Sequence, residues 1–419
     1  MAVCYFDYNY KTKYNCEYEK TDDGIEVTLD YDVMEEIPTV NGVRSFGKNT
    51  EIKDRDILII DNKSKMNYLL KKAYCIGTSV VWGTPDGGSK TKFLSNNYLY
   101  NADYEKLSSL DEKIQLSKIR IYSKLINKII GTPSLFEDTI ENEFIIKLQK
   151  KANVKNIEIK ANNIKQILIS DDWKHIHDYK KGNINIDLNG YIEIELEKDI
   201  DYEDIYEYIT ELEVFLQLLQ PNRLDINKIM IYVEDKYYGI NIPKRELTYK
   251  DKKIKNTVED DILNFLEKCY KIIPYRNSKS EIRNISHVIL NESRNLEDNF
   301  LMMYRFVECY YKNNGEKDFI SYGLQNNYKE TLNCSIEDMT AKIISLRNHY
   351  VHNGYYIDNE RLEICYKKKN KKKNPKDYIE NNVNFEWIYE KTEILYKIVI
   401  DIILYSMLGY SKYNFDKHF

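Results

Sequence analysis

The hydrophobic rhythm of this chain changes once, near residue 250, and that change restricts the fold more than any other feature. Before it, apolar residues recur mostly at every second position, the period of a strand with one buried face. After it they recur at three- and four-residue spacing, the period of a helix. Residues 57–60 form a short apolar run, and 74–82 a longer one closed by the turn cluster Gly83-Thr84-Pro85-Asp86-Gly87-Gly88. Residues 118–122 and 157–159 alternate. Residues 184–188 and 191–196 alternate on either side of Asn189-Gly190, which predicts a two-residue hairpin. One helix interrupts the strands. Asp201 is its candidate cap, Ile205, Ile209, Leu212, Phe215, Leu216 and Leu219 are its apolar stripe, and Pro221 stops it. Residues 229–233 and 237–242 predict a further hairpin.

The charged stretch Lys250-Asp251-Lys252-Lys253-Ile254-Lys255 is the candidate linker. Beyond it the spacing predicts helices over about 257–272, from about 280 after Pro274, and along the stripe Leu296, Phe300, Met303, Phe306, Val307 and Tyr310. A fourth opens at the capping box Ser335-Ile336-Glu337-Asp338 and continues through Met339, Ile343, Ile344 and Leu346. A last long helix covers 387–408. The expected class is therefore α+β, a β-rich domain over 1–250 followed by an all-α bundle over 256–419.

A chain of 419 residues, 42% hydrophobic and 31% charged, is globular in composition. Its net charge of −5 confines any nucleic-acid contact to a local patch. The seven Cys are scattered and no two form C-x-x-C, which argues against a zinc ribbon or a disulfide framework and for a reducing compartment. No signal peptide is legible at the N-terminus. The longest apolar stretch, 395–408, is interrupted by Lys397 and Asp401 and is too short to cross a bilayer. A cytoplasmic protein without membrane partner, metal or cofactor is expected. His175-Ile176-His177 near Asp171 and Asp172 is too small a set to expect a metal. The turn at 83–88 lacks the Lys and the strand–helix setting of a phosphate loop.

Arg347-Asn348-His349-Tyr350-Val351-His352, with Gly354 beyond, puts a fixed cation, an amide and an imidazole at the end of a predicted helix. Arg carries a planar fork of donors that fits phosphate oxygens, and His both accepts and gives a proton near neutral pH. These groups can cut a phosphodiester without a metal. By chance, Arg-x4-His occurs about 0.16 times in such a chain, and Asn directly after the Arg lowers this to on the order of 0.01–0.02. Asn348 and His352 share a helix face, while Arg347 and His352 diverge unless the helix ends near Gly354 and lets His352 turn. The same residues also suit an ordinary helix end, where cations complement the dipole.

Arg347-Asn348-x-x-x-His352 in a helical bundle resembles the R-N-x-x-x-H signature of the HEPN superfamily, over roughly residues 255–410. The helix Leu296-Glu297-Asp298-Asn299-Phe300 to Glu308 is similar to the acidic-then-aromatic helix that precedes the motif in that family. A β-rich domain before the bundle resembles the layout of ApeA-like antiphage proteins. The resemblance implies metal-independent RNA cleavage by 2′-hydroxyl attack, a homodimer or higher even oligomer formed through the bundle, and two motifs facing each other in one cleft. It implies catalytic roles for Arg347 and His352, support from Asn348, and a β-rich domain that senses a phage-derived trigger in abortive infection. Glu308 is a candidate to orient Arg347. Other readings are a non-catalytic HEPN binding or assembly module, and the toxin of a toxin–antitoxin pair.

Lys367, Lys368, Lys369, Lys371, Lys372 and Lys373 follow the motif, either as a solvated loop or as an arm that holds RNA phosphates. Tyr355 and Tyr356 are candidates to stack on bases, or packing residues. Arg283-Asn284-Ile285-Ser286-His287 is a near-copy of the motif, one residue short, and reads as structural.

Overall fold

A computed structural model describes residues 2–7, 11–30, 34–37, 45–48, 54–64, 66–80, 89–101, 113–123, 126–127, 134–140, 143–149, 155–178, 183–219, 226–241, 259–273, 296–328, 334–353 and 385–410. The chain divides into two units, Met1–Ile205 with Asp225–Glu246, and Tyr206–Leu224 with Leu247–Phe419. The predicted linker at 250–255, the helix from about 280, the glycine cluster at 83–88 and the Arg283–His287 near-copy lie outside the described residues.

The first unit carries the strands. They begin with β1 (Ala2–Phe6), β2 (Tyr14–Thr21), β3 (Gly24–Asp30), β4 (Met34–Ile37), β5 (Ser45–Lys48) and β6 (Arg55–Ile60). Then come β7 (Asn67–Val80), β8 (Ser89–Ser95), β9 (Tyr98–Asn101), β10 (Gln115–Ser123), β11 (Ser134–Ile140) and β12 (Glu143–Gln149). The last are β13 (Lys155–Ala161), β14 (Ile164–Asp178), β15 (Asn183–Asp201), β16 (Ile226–Val233) and β17 (Lys236–Ile240). Among the described residues thirteen of them join in one antiparallel sheet, while β4–β5 and β11–β12 are separate ribbons.

β7 closes part of that sheet on itself. Its first half pairs with β6, Leu69 opposite Leu58, and its second half with β8, Thr78 opposite Thr91. From β6 the sheet runs through β1, β2 and β3 back to β8, so six strands form a barrel without a free edge. The alternate residues Cys4, Phe6, Val27, Leu29, Ile59 and Phe93 belong to its core. A bulge lets β7 serve both partners: Lys71 and Lys72 together face Asp56, and Lys72 takes φ +50°. The Asp56 carboxylate pins this bulge by accepting the Lys72 N–H at 2.9 Å and pairing with the Lys71 ammonium.

Beyond β7 the sheet continues open through β9, β17, β16, β10, β15, β14 and β13. Ile119, Ile121, Ile192, Ile194, Ile229 and Ile231 are buried on one face. Arg120, Tyr122, Tyr191, Glu193 and Tyr237 occupy the other, as the register requires.

The hairpin predicted at Asn189-Gly190 does not exist. β15 runs straight through it, with Asn189 opposite Asp172 and Gly190 opposite Asp171 of β14. A two-residue turn there would have set Ile186 opposite Glu193 and Ile184 opposite Glu195, mixing the two faces. A continuous strand keeps every even position from 184 to 196 on one face. Two-residue turns with φ > 0 occur instead at Asn162-Asn163 and at Glu234-Asp235, the second joining the expected hairpin of β16 and β17. Asp201 is not a side-chain cap either: its carboxylate accepts from the Gln115 amide, and a 3-10 turn, Tyr202–Asp204, precedes the helix.

The helices are α1 (Ile205–Leu219), α2 (Glu259–Ile272), α3 (Leu296–Asn313), α4 (Phe319–Tyr328), α5 (Ile336–Asn353) and α6 (Phe385–Asp401). A π-helical turn, Ile402–Met407, extends α6. The sequence reading put α1 with the strands, but it groups with the helical unit, where Phe215 meets Tyr270 of α2 edge to face at 4.9 Å. α3 packs on α4, α5 and α6. Its aromatic stripe supplies the contacts: Phe300 on Tyr350, Tyr304 on Phe319 and Tyr311 on Tyr322. Among the described residues no helix is long and apolar enough to cross a membrane.

Candidate active site

Helix α5 carries the motif, and its start follows the predicted cap. The Ser335 hydroxyl accepts the Asp338 N–H at 3.2 Å, and Asp338 pairs with Lys342 one turn on at 2.9 Å. Met339, Ile343, Leu346 and Tyr350 form the buried stripe. That stripe leaves Arg347 and Asn348 half-buried and His352 exposed, while His349, between them, is fully buried.

The Arg347 guanidinium donates to Asn348 Oδ1 at 3.0 Å and lies over the Tyr304 ring at 5.7 Å. A cation over an aromatic face at this distance contributes about 0.5–1 kcal/mol. Burial pushes the Tyr304 hydroxyl up to about 12; the Glu308 charge adds to this and the Arg347 charge opposes it. The ring beneath the guanidinium is therefore neutral at physiological pH and leaves the Arg347 charge uncancelled. Among the described residues no carboxylate pairs with Arg347. Glu308, expected to orient it, pairs with Lys312 on its own helix.

The helix continues through Asn353, so His352 stays helical rather than turning. At 100° per residue Arg347 and His352 point about 140° apart, and Asn348 and His352 about 40° apart. One copy of α5 thus presents Arg347 and His352 to different directions. Gly354, Tyr355, Tyr356 and the lysines at 367, 368, 369, 371, 372 and 373 lie outside the described residues.

Tyr304 is the residue that sequence reasoning missed. Its signal was available: a polar-tipped aromatic one turn after Phe300, on the buried stripe of α3.

A second arginine offers a contrast. Arg120 on β10 lies between the rings of Tyr191 at 4.1 Å and Tyr237 at 4.2 Å. It donates to Glu193 at 2.8 Å, pairs with Asp172 at 3.3 Å and donates to the Tyr237 hydroxyl at 2.9 Å. Tyr237 and Tyr122 in turn donate to Glu193 and Asp172, at 2.7 and 2.6 Å. Burial alone would lower the Arg120 pKa, but the bonds it donates to Tyr122 and Glu193 outweigh it and the net direction is upward. Asp172, placed near His175 and His177 in the sequence, is thus engaged by Arg120 and Tyr122. Among the described residues no three His, Cys, Asp or Glu side chains converge on a metal position.

The chain matches no family model, no curated protein and no solved structure.

Proposed function

We propose that the helical unit is a HEPN-type endoribonuclease and that Arg347, Asn348 and His352 form half of its site. The observation that carries this reading is Arg347: a cation held on a neutral ring and an amide, without a carboxylate partner among the described residues. Such a cation suits an anionic oxygen. In the proposed reaction the 2′-hydroxyl attacks the adjacent phosphorus, the bond to the 5′-oxygen breaks, and a 2′,3′-cyclic phosphate and a 5′-hydroxyl result. His352 takes the proton from the 2′-hydroxyl or returns one to the leaving oxygen. Arg347 stabilises the charge gathering on the non-bridging oxygens. DNA, which lacks the attacking group, is spared.

The divergence of Arg347 and His352 on one helix favours two copies of α5 in one cleft, hence a dimer or a higher even oligomer. A role in antiphage defence, with the strand unit sensing the trigger in the cytoplasm, belongs to the same proposal and rests on the family resemblance. The test is incubation of the purified protein with total RNA in EDTA, beside Arg347→Ala and His352→Ala. Loss of cleavage in both variants is expected. Equal activity in all three overturns the site, and an active protein that is strictly monomeric by light scattering overturns the shared cleft.

A further inference from the structure

Seven residues beyond Tyr304 on the same helix, about 10 Å along the axis, Tyr311 lines a cleft of about 510 Å³ beside the end of α3. Three backbone features build it. Helix α3 stops in a paired cap, with the Gly315 N–H bonded to Lys312 O at 3.0 Å and the Glu316 N–H to Tyr311 O at 2.9 Å; Gly315 takes φ +87°. Gly323 brings α4 close to α6, since a Cβ there would lie 3.1 Å from Ile398 and 3.4 Å from the Tyr311 ring. The π turn after α6, marked by the Leu408 N–H bonded to Ile403 O at 2.9 Å, widens the helix where it forms the third wall.

The side chains give the cleft a definite chemistry. Tyr310, Tyr311, Tyr322 and Tyr405 line it, and Tyr322 is 40% exposed beside its edge-to-face contact with Tyr311 at 5.2 Å. Asn314 and Asn326 add amides, and Glu316 and Asp401 add carboxylates. Among the described residues no Lys or Arg lines it. Rings that accept a stacked partner, with acceptors at the rim and no cation, favour a flat molecule rich in N–H donors and disfavour a phosphate.

We infer that this cleft receives an unpaired nucleobase bearing an exocyclic amine, from the RNA strand whose scissile phosphate lies at Arg347. The inference rests on the ribonuclease reading above and extends it to base selection. Tyr322 supplies stacking, which any base satisfies. Glu316 accepts from the amine, which adenine, cytosine and guanine offer and uracil does not.

The test uses the full chain carrying His352→Ala, so that RNA is not consumed, and labelled oligoadenylate, oligocytidylate and oligouridylate followed by fluorescence anisotropy at fixed salt. The amine-bearing oligomers are expected to bind at least about fivefold more tightly than oligouridylate. Tyr322→Ala weakens all three, while Glu316→Ala, at the turn after α3, removes the acceptor and with it the preference alone. Unchanged affinities in Tyr322→Ala, or no preference among the three oligomers, overturn the inference. Free adenosine that binds as tightly as oligoadenylate overturns the assignment to an RNA strand. The two readings fail separately: a chain that cleaves RNA with no dependence on Tyr322 retains the nuclease and loses the cleft. A chain that cleaves nothing, yet binds amine-bearing oligomers through Tyr322, retains the cleft and loses the nuclease.

Discussion

Among the described residues two arginines rest on tyrosine rings, and they differ in what surrounds them. Arg120 in the strand unit is clasped by two rings, two carboxylates and two phenols. Arg347 in the helical unit has one ring, 5.7 Å away, and one amide. Stacking on tyrosine therefore says little by itself about an arginine's role. The carboxylates make the difference: Arg120 has two and is held within a sheet face, while Arg347 has none among the described residues, which is what the proposed anion-binding role builds on.

The comparison is broken most directly by Arg347→Ala. RNA cleavage is expected to fall by at least about 100-fold, as when one donor to a transition-state oxyanion is removed. Folding stability is expected to change by about 1 kcal/mol, because only a ring contact and one half-buried bond are lost. Initial rates and a urea midpoint measure both, and a large stability loss would make Arg347 as structural as Arg120. Glu193→Ala is the converse. It removes the buried acceptor shared by Arg120 and Tyr237, at a cost of about 3 kcal/mol, read from the same urea transition. A smaller effect, about 1 kcal/mol, is expected from Ser335→Ala, which removes the cap of α5. Faster amide exchange at Asp338 and Met339 would report it, with cleavage little changed because the motif lies three turns away.

The smallest effect is in the response to acid. Asp61, after β6, is lowered from 3.8 to about 2, first by the Lys63 N–H, with burial opposing and the Tyr18 hydroxyl assisting. A carboxylate with a depressed folded pKa contributes stability that is present above about 4 and lost as pH falls through 2. Asp61→Asn is expected to flatten the urea midpoint between pH 4 and pH 2. Tyr304 works at the other end: its contribution is present below pH 10 and lost as pH rises through about 12. An acid slope unchanged in Asp61→Asn would place the acid-labile group elsewhere.

Short-range features were the legible ones. The S-x-x-D box marked the start of α5 because capping is settled within four residues. The stripe of α3 and the β16–β17 hairpin were readable for the same reason. Asn189-Gly190 misled because a turn dipeptide was weighed without the parity of the residues around it; Ile184, Ile186, Leu188, Ile192 and Ile194 all sit at even positions, which only a continuous strand keeps on one face. Barrel closure was out of reach, since β1 meets β6 some fifty residues away and β7 must pair twice. Helix α4 is short and weakly striped, so Gly323 and the aromatic neighbours that fix it were invisible. At the motif, residue types and spacing were legible, and so was the i,i+4 spacing of Glu308 and Lys312 within α3; the ring beneath Arg347 depends on how α3 lies against α5.

Helix α1 has a consequence for how this molecule can be taken apart. The chain leaves the strand unit near residue 205, returns near 225 and leaves again near 246. No single nick separates the two units, and a gene split at that last junction yields a fragment in which Tyr270 has lost its edge-to-face contact with Phe215. Pieces joined this way cannot be shuffled between proteins like beads on a string; they are inherited, made and destroyed together.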